Sequence, residues 1–73
     1  MKNHDLVDIS CLLKFYPNSG KSVAVLEAPG KEILFLPLSQ VEVEETGRYD
    51  DESHLQIVIV TMPQWLAEEK GLV

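Results

Sequence analysis

Along most of the chain, hydrophobic positions fall into short runs with a period of two, and only the carboxyl-terminal stretch breaks that rhythm. In DISCLLKFY, residues 8–16, Ile9, Cys11, Leu13 and Phe15 alternate with Ser10 and Lys14, which predicts a strand with one strongly apolar face. PNSGK supplies a turn, because Pro, Asn and Gly each favour the backbone angles of a reversal. SVAVLEA, rich in β-branched valine, predicts the second strand. In APGK, Pro29 presets φ for the first central position of a β-turn, and Gly30 accepts the positive φ that type II requires at the second. VAVLE and KEILFL then form the arms of a hairpin. Pro37 interrupts the next apolar run; lacking an amide donor, it belongs at a bulge, a sheet edge or a sharp bend. QVEVE alternates strictly, with Val41 and Val43 inward and Glu42 and Glu44 outward. ETGRYDDES reads as a polar loop. HLQIVIVT is the last strand, apolar on both sides late in its length, and therefore central or covered by a helix.

The tail, VTMPQWLAEEKGLV, has helical punctuation. Thr61 and Gln64 have capping-box spacing, in which each side chain satisfies the other's amide. Pro63 in the first turn sacrifices no helical hydrogen bond. Gly71 suits the left-handed position just past a helix end, and Lys70 complements the dipole before it. The predicted helix, Met62 to Lys70, is too short to persist alone and must dock. Trp65, Leu66 and Leu72 are the expected anchors, with the indole plugging the core. The pattern as a whole predicts one mainly-β domain over residues 1–73. Residues 1–7 form a loose lead-in, and residues 8–61 a five-stranded, strongly bent antiparallel sheet or barrel of SH3-like or OB-like kind. A short C-terminal helix over 62–70 closes it.

Length changes this picture little: 73 residues give one domain near the lower size limit for folding without staples. The single cysteine, Cys11, forms no internal disulfide. MKNHDLVD has no apolar core of a signal peptide, and no run has membrane-spanning length, so a cytoplasmic setting is expected. Charge matters more. Residues 1–41 balance four Lys against four Asp or Glu, whereas EVEETGRYDDE, residues 42–52, carries six acids against Arg48 alone. No Lys/Arg cluster of the kind that grips phosphate backbones is present, so direct nucleic-acid binding is disfavoured.

Candidate chemistry is sparse. NSGKS resembles the end of a phosphate-binding loop, but Phe15 stands where the first glycine belongs and the segment joins two strands. Cys11 lies among core-type residues without a base beside it. His4 and His54 are dispersed, which makes a poor zinc site, and YDDES lacks the spacing of a calcium loop. Glu42 and Glu44 share one face but also one environment, whereas a catalytic pair needs its pKa values pushed apart. The expectation is a non-enzyme with no cofactor and no metal.

The acidic block has two readings: protection of an edge strand, or a docking face for a basic protein formed by Glu42, Glu44, Glu45, Asp50, Asp51 and Glu52. LPLSQVE, Leu36 to Glu42, and the closing VTMPQWLAEEKGL resemble stretches shared by small bacteriophage- and prophage-encoded proteins. The chain departs from that pattern with Phe35 where Trp is common and Leu38 where Lys is common. The resemblance implies a phage accessory protein that binds a host or phage protein, inhibiting a nucleic-acid-handling or defence complex in an anti-CRISPR-like manner. The alternative it implies is a small β-barrel helper in recombination or replication, stacking single-stranded nucleic acid on Tyr16, Phe35 and Tyr49. Dimerisation through an edge strand or Trp65 is a third option.

Overall fold

The computed structural model describes residues 5–73. The five strands are β1 (Leu6–Phe15), β2 (Ser22–Leu26), β3 (Leu34–Pro37), β4 (Glu42–Tyr49) and β5 (Gln56–Pro63), and one helix follows, α1 (Gln64–Glu69). They form a single antiparallel sheet in the order β3-β2-β1-β5-β4, mainly-β as the periodicity predicts and not closed into a barrel. The lead-in is shorter than residues 1–7: Leu6 and Val7 already pair with Pro63 and Met62. Residues 1–4, including His4, lie outside the described residues.

The connection from β3 to β4 dictates the shape. These are the two edge strands, yet only residues 38–41 join them. In a flat sheet the edges would stand four strand spacings, about 19 Å, apart. They would also be offset along the strands, since Pro37 pairs with Ser22 beyond one end of β1 while Glu42 is level with Asp8 near the other. That offset adds roughly 25–30 Å, and a link of this length spans at most about 18 Å. The sheet must therefore coil until the two edges approach.

Coiling gives the sheet an inside and an outside. Cys11, Val23, Val25, Leu36, Val58, Val60 and Met62 share the inner face, and Leu66, Ala67 and Leu72 complete the same cluster from the helical end. Register confirms the assignment, because Cys11 opposes Val58, Ile9 opposes Val60 and Val7 opposes Met62. Phe15 departs from the predicted face. A bulge between Leu13 and Phe15 shifts the register by one, so Phe15 opposes Ala24 on the outside. There its ring meets Phe35 edge-on, at 6.2 Å between centroids. Ala24 lies between the two strands and is fully buried.

The turns follow their chemistry. The Lys31 amide donates to the Ala28 carbonyl with Gly30 at φ +84°, the expected turn around Pro29 and Gly30. NSGK is likewise a turn, closed by the Gly20 amide on the Pro17 carbonyl. Pro37 ends β3, an edge strand. The predicted loop ETGRYDDES is half strand: β4 runs on to Tyr49 through a bulge at Thr46–Gly47, where the Thr46 hydroxyl donates to the Ile57 carbonyl at 2.6 Å.

The helix start is another correction. Met62 and Pro63 belong to β5, and the helix begins at Gln64 with no side-chain cap. No capping box forms, because Thr61 is a strand residue whose hydroxyl donates to the Asp8 carboxylate directly opposite, at 2.6 Å. Gln64 instead donates its side-chain amide to Glu68, one turn on, at 3.1 Å. The carboxyl end matches expectation closely. The Leu72 amide reaches the Ala67 carbonyl at 2.8 Å and the Gly71 amide reaches Glu68 at 3.1 Å, with Gly71 at φ +75°. These are the two bonds of a Schellman motif, and they fold Leu72 back onto the core beside Leu66.

Trp65 is not the plug. It is 54% exposed, whereas Leu66 is 2% exposed and Ala67 is fully covered. With the helix starting two residues late, the inward positions fall on 66 and 67, and the indole faces out. Leu66→Ala should therefore cost about 2–5 kcal/mol in chemical denaturation. Trp65→Ala should cost under about 1 kcal/mol, because the truncated ring leaves no internal cavity.

Candidate functional site

Six acidic residues were the sequence's candidates, and the structure divides them. Glu42 and Glu44 lie on the outer face of β4, opposite Thr61 and Ile59. Glu45 opposes Val58, so it lies on the other side of the sheet. Asp51 and Glu52 sit in the β4–β5 loop at the far end of the strand, about 25–30 Å from Glu42 by strand rise. Asp50 has a local structural role. Its carboxylate accepts from the Ser53 amide at 2.7 Å and the Glu52 amide at 3.1 Å, while its own amide and carbonyl pair with Leu55 and His54. His54 in that turn adopts φ +64°.

What the fold brings together instead is a cluster at the other end of the molecule. Leu6, Asp8 and Thr61 come from the start of β1 and the end of β5, and Glu42 from the start of β4. Asp8, Thr61 and Glu42 are successive cross-strand neighbours, so two carboxylates flank one hydroxyl on the outer face. Coiling carries residues 38–41 against them. The result is a groove of ≈ 350 Å³ lined by Leu6, Leu38, Ser39, Gln40, Val41, Glu42 and Thr61. Leu6 is 64% exposed, a large apolar side chain beside acids. Past Asp5 the same end continues into the helix, where Asp5, Gln64, Trp65 and Glu68 line a second hollow.

Of the six candidates, only Glu42 lines the groove, with Glu44 beside it on the strand. Asp5, Leu6, Asp8 and Glu68 were missed. The signal for the β1 residues was present, since Leu6, Asp8, Ser10 and Leu12 continue the period-two pattern toward the amino end. Gln64 and Glu68 have the i, i+4 spacing of helix neighbours. The meeting of Leu6 and Asp8 with Glu42 depends on the long-range pairing of β1 with β5, which no local pattern encodes.

Cys11 is buried in the inner cluster, and burial, followed by the charge of Glu27, pushes its thiol up to about 11. Among the described residues no group of three or more metal-capable side chains converges. Among the described residues no helix is long and apolar enough to cross a membrane. The chain matches no protein-family model, no curated protein and no solved structure.

Two measurements follow. Folding favours the neutral Cys11 thiol, so its contribution to stability is complete below its ordinary pKa of 9.0 and is lost as pH rises through about 11. At pH 8 the reduced thiolate fraction alone should slow iodoacetamide alkylation of the native protein roughly a hundredfold relative to the denatured chain. For Asp50, hydrogen bonds from the Ser53 amide foremost, and then from its side chain and the Glu52 amide, hold the carboxyl below its ordinary range. Its contribution to loop order is therefore present above the usual Asp pKa and lost as pH falls through the depressed value. Asp50→Ala should abolish exchange protection at the Ser53 amide at neutral pH, measured by NMR, and leave the Val58 and Val60 amides protected.

Proposed function

We propose that the protein is a non-catalytic binding module of phage type, acting in the cytoplasm of a bacterial host, that captures a protein partner through its acid-rimmed end. The observation that carries this reading is the row formed by Asp8, Thr61 and Glu42, with Glu44 alongside, on a sheet face that the helix leaves uncovered. Exposed Leu6, one row further along the outer face of β1, supplies apolar area beside those charges. An apolar contact flanked by like charges suits a partner with a basic surface, because the charges speed encounter and exclude wrong partners while the apolar contact holds the complex. Inhibition of a nucleic-acid-handling or defence complex follows as the expected outcome, since such complexes expose basic grooves. The divided acidic block makes Glu42 and Glu44 the operative pair, and Glu45, Asp51 and Glu52 contribute to solubility.

A second reading, contact with single-stranded nucleic acid, is favoured by one observation. Phe15, Tyr16 and Phe35 are about half exposed at the β1–β3 end, where Lys14 and Lys21 also lie. The two readings separate in one comparison. Glu42→Lys/Glu44→Lys should lose the partner captured by the wild type from a bacterial lysate near physiological salt, with an unchanged thermal midpoint. Retention of the partner by this variant refutes the acidic-end reading. Salt-sensitive micromolar binding of oligo-dT by the wild type, lost in Phe35→Ala, establishes the second reading instead.

A further inference from the structure

We infer that the hollow beside Trp65 is a receptor for a single arginine side chain of the partner. The proposal rests on the basic-partner reading above and adds a separate site with its own chemistry.

The hollow, of ≈ 260 Å³, is lined by Asp5, Gln64, Trp65 and Glu68. Trp65 is the chain's only tryptophan, and it is more than half exposed on a helix whose neighbouring Leu66 and Ala67 are buried. The ring is not part of the core cluster, and an exposed indole is among the commonest hot-spot residues of protein interfaces. Its surroundings select the ligand. Asp5 and Glu68 are two of the four residues lining the hollow, so a cation stacked on the indole gains from the ring quadrupole and from the acidic side chains beside it.

Two hydrogen bonds pre-set this arrangement. The Gln64 amide donates to the Asp5 carbonyl at 3.0 Å, which ties the start of β1 to the first turn of the helix. The Gln64 side chain donates to Glu68 Oε2 at 3.1 Å, which fixes that carboxylate on the helix turn that carries Trp65 and leaves it acceptor positions to spare. The partial positive charge of the helix's amino end, about half an elementary charge at most, opposes a cation there. The two carboxylates outweigh it. Arginine fits better than lysine, because a planar guanidinium stacks on the ring while its edge meets a carboxylate in two parallel hydrogen bonds. Asp5 adjoins Leu6, so the hollow extends the acid-rimmed groove, and a basic segment lying across that end would reach both.

Trp65 reports on its own site. Acetylated and amidated tetra-arginine and tetra-lysine peptides are titrated into the full chain at low salt while indole emission is followed. The expected result is a saturable change with arginine favoured about threefold or more over lysine. Glu68→Gln and Asp5→Asn should each weaken the arginine peptide about threefold or more, while Glu42→Lys/Glu44→Lys retains the emission change. A linear, unsaturable response, equal affinity for the two peptides, or full affinity in Glu68→Gln overturns the proposal. If the emission change vanishes in Glu42→Lys/Glu44→Lys but persists in Glu68→Gln, the groove binds the peptide and the hollow does not. Saturable arginine binding at the indole, together with lysate capture insensitive to Glu42 and Glu44, leaves the hollow standing and removes the groove.

Discussion

The ladder between β1 and β5 holds residues 6–13 against 56–63, eight consecutive pairs joining the two ends of the chain. Almost every other arrangement depends on it. β1 is the only strand shared by the β2–β3 hairpin and the β4–β5 hairpin, so without this ladder the sheet is two unconnected pieces. The same ladder sets Val7, Ile9 and Cys11 against Met62, Val60 and Val58, which makes one continuous inner surface. It also sets Asp8 against Thr61 and delivers the chain to the point where the helix must start.

The second constraint is the brevity of residues 38–41. A sheet of this strand order with so short a tie between its edges cannot stay flat, and the resulting coil decides which residues are inside. Leu36, just before the tie, and Val41, its last residue, are both buried in the shared cluster. Six helical residues then suffice to cover the remaining opening, through Leu66, Ala67 and the folded-back Leu72. Aromatic rings are left over. Phe15, Phe35 and Trp65 lie outside that core, and all three are about half exposed.

Strand identity was legible in the sequence because alternation is a local property, and the Pro29–Gly30 turn and the Gly71 terminus were legible because their backbone angles favour particular residues. Two errors lie at irregular pairings. At Phe15 a bulge adds one residue to β1, and counting by twos carries no warning of it; at Thr46–Gly47 two residues of β4 stand between consecutive pairs, and the polar sequence there reads as a loop. The capping-box pattern at Thr61 and Gln64 failed because a stronger claim was available: strand pairing with β1 held Thr61 extended and gave its hydroxyl to Asp8. That two-residue delay rotated the helix and turned Trp65 outward. For the candidate site, the acids of β4 were visible as a block in the sequence. Their division between two faces and a distant loop, and the union of Glu42 with Leu6 and Asp8, are products of register and coil.

The β1–β5 ladder also orders events during synthesis. A ribosome releases β1, β2 and β3 first, and these neighbours in sequence can form their meander while the rest is still being made. Throughout that interval β1 has one satisfied edge and one bare one, with Val7, Ile9 and Cys11 uncovered, and no closer partner exists along the chain. Only the emergence of residues 56–63 ends the exposure, so a nascent chain stalled before that point presents an adhesive strand to its surroundings.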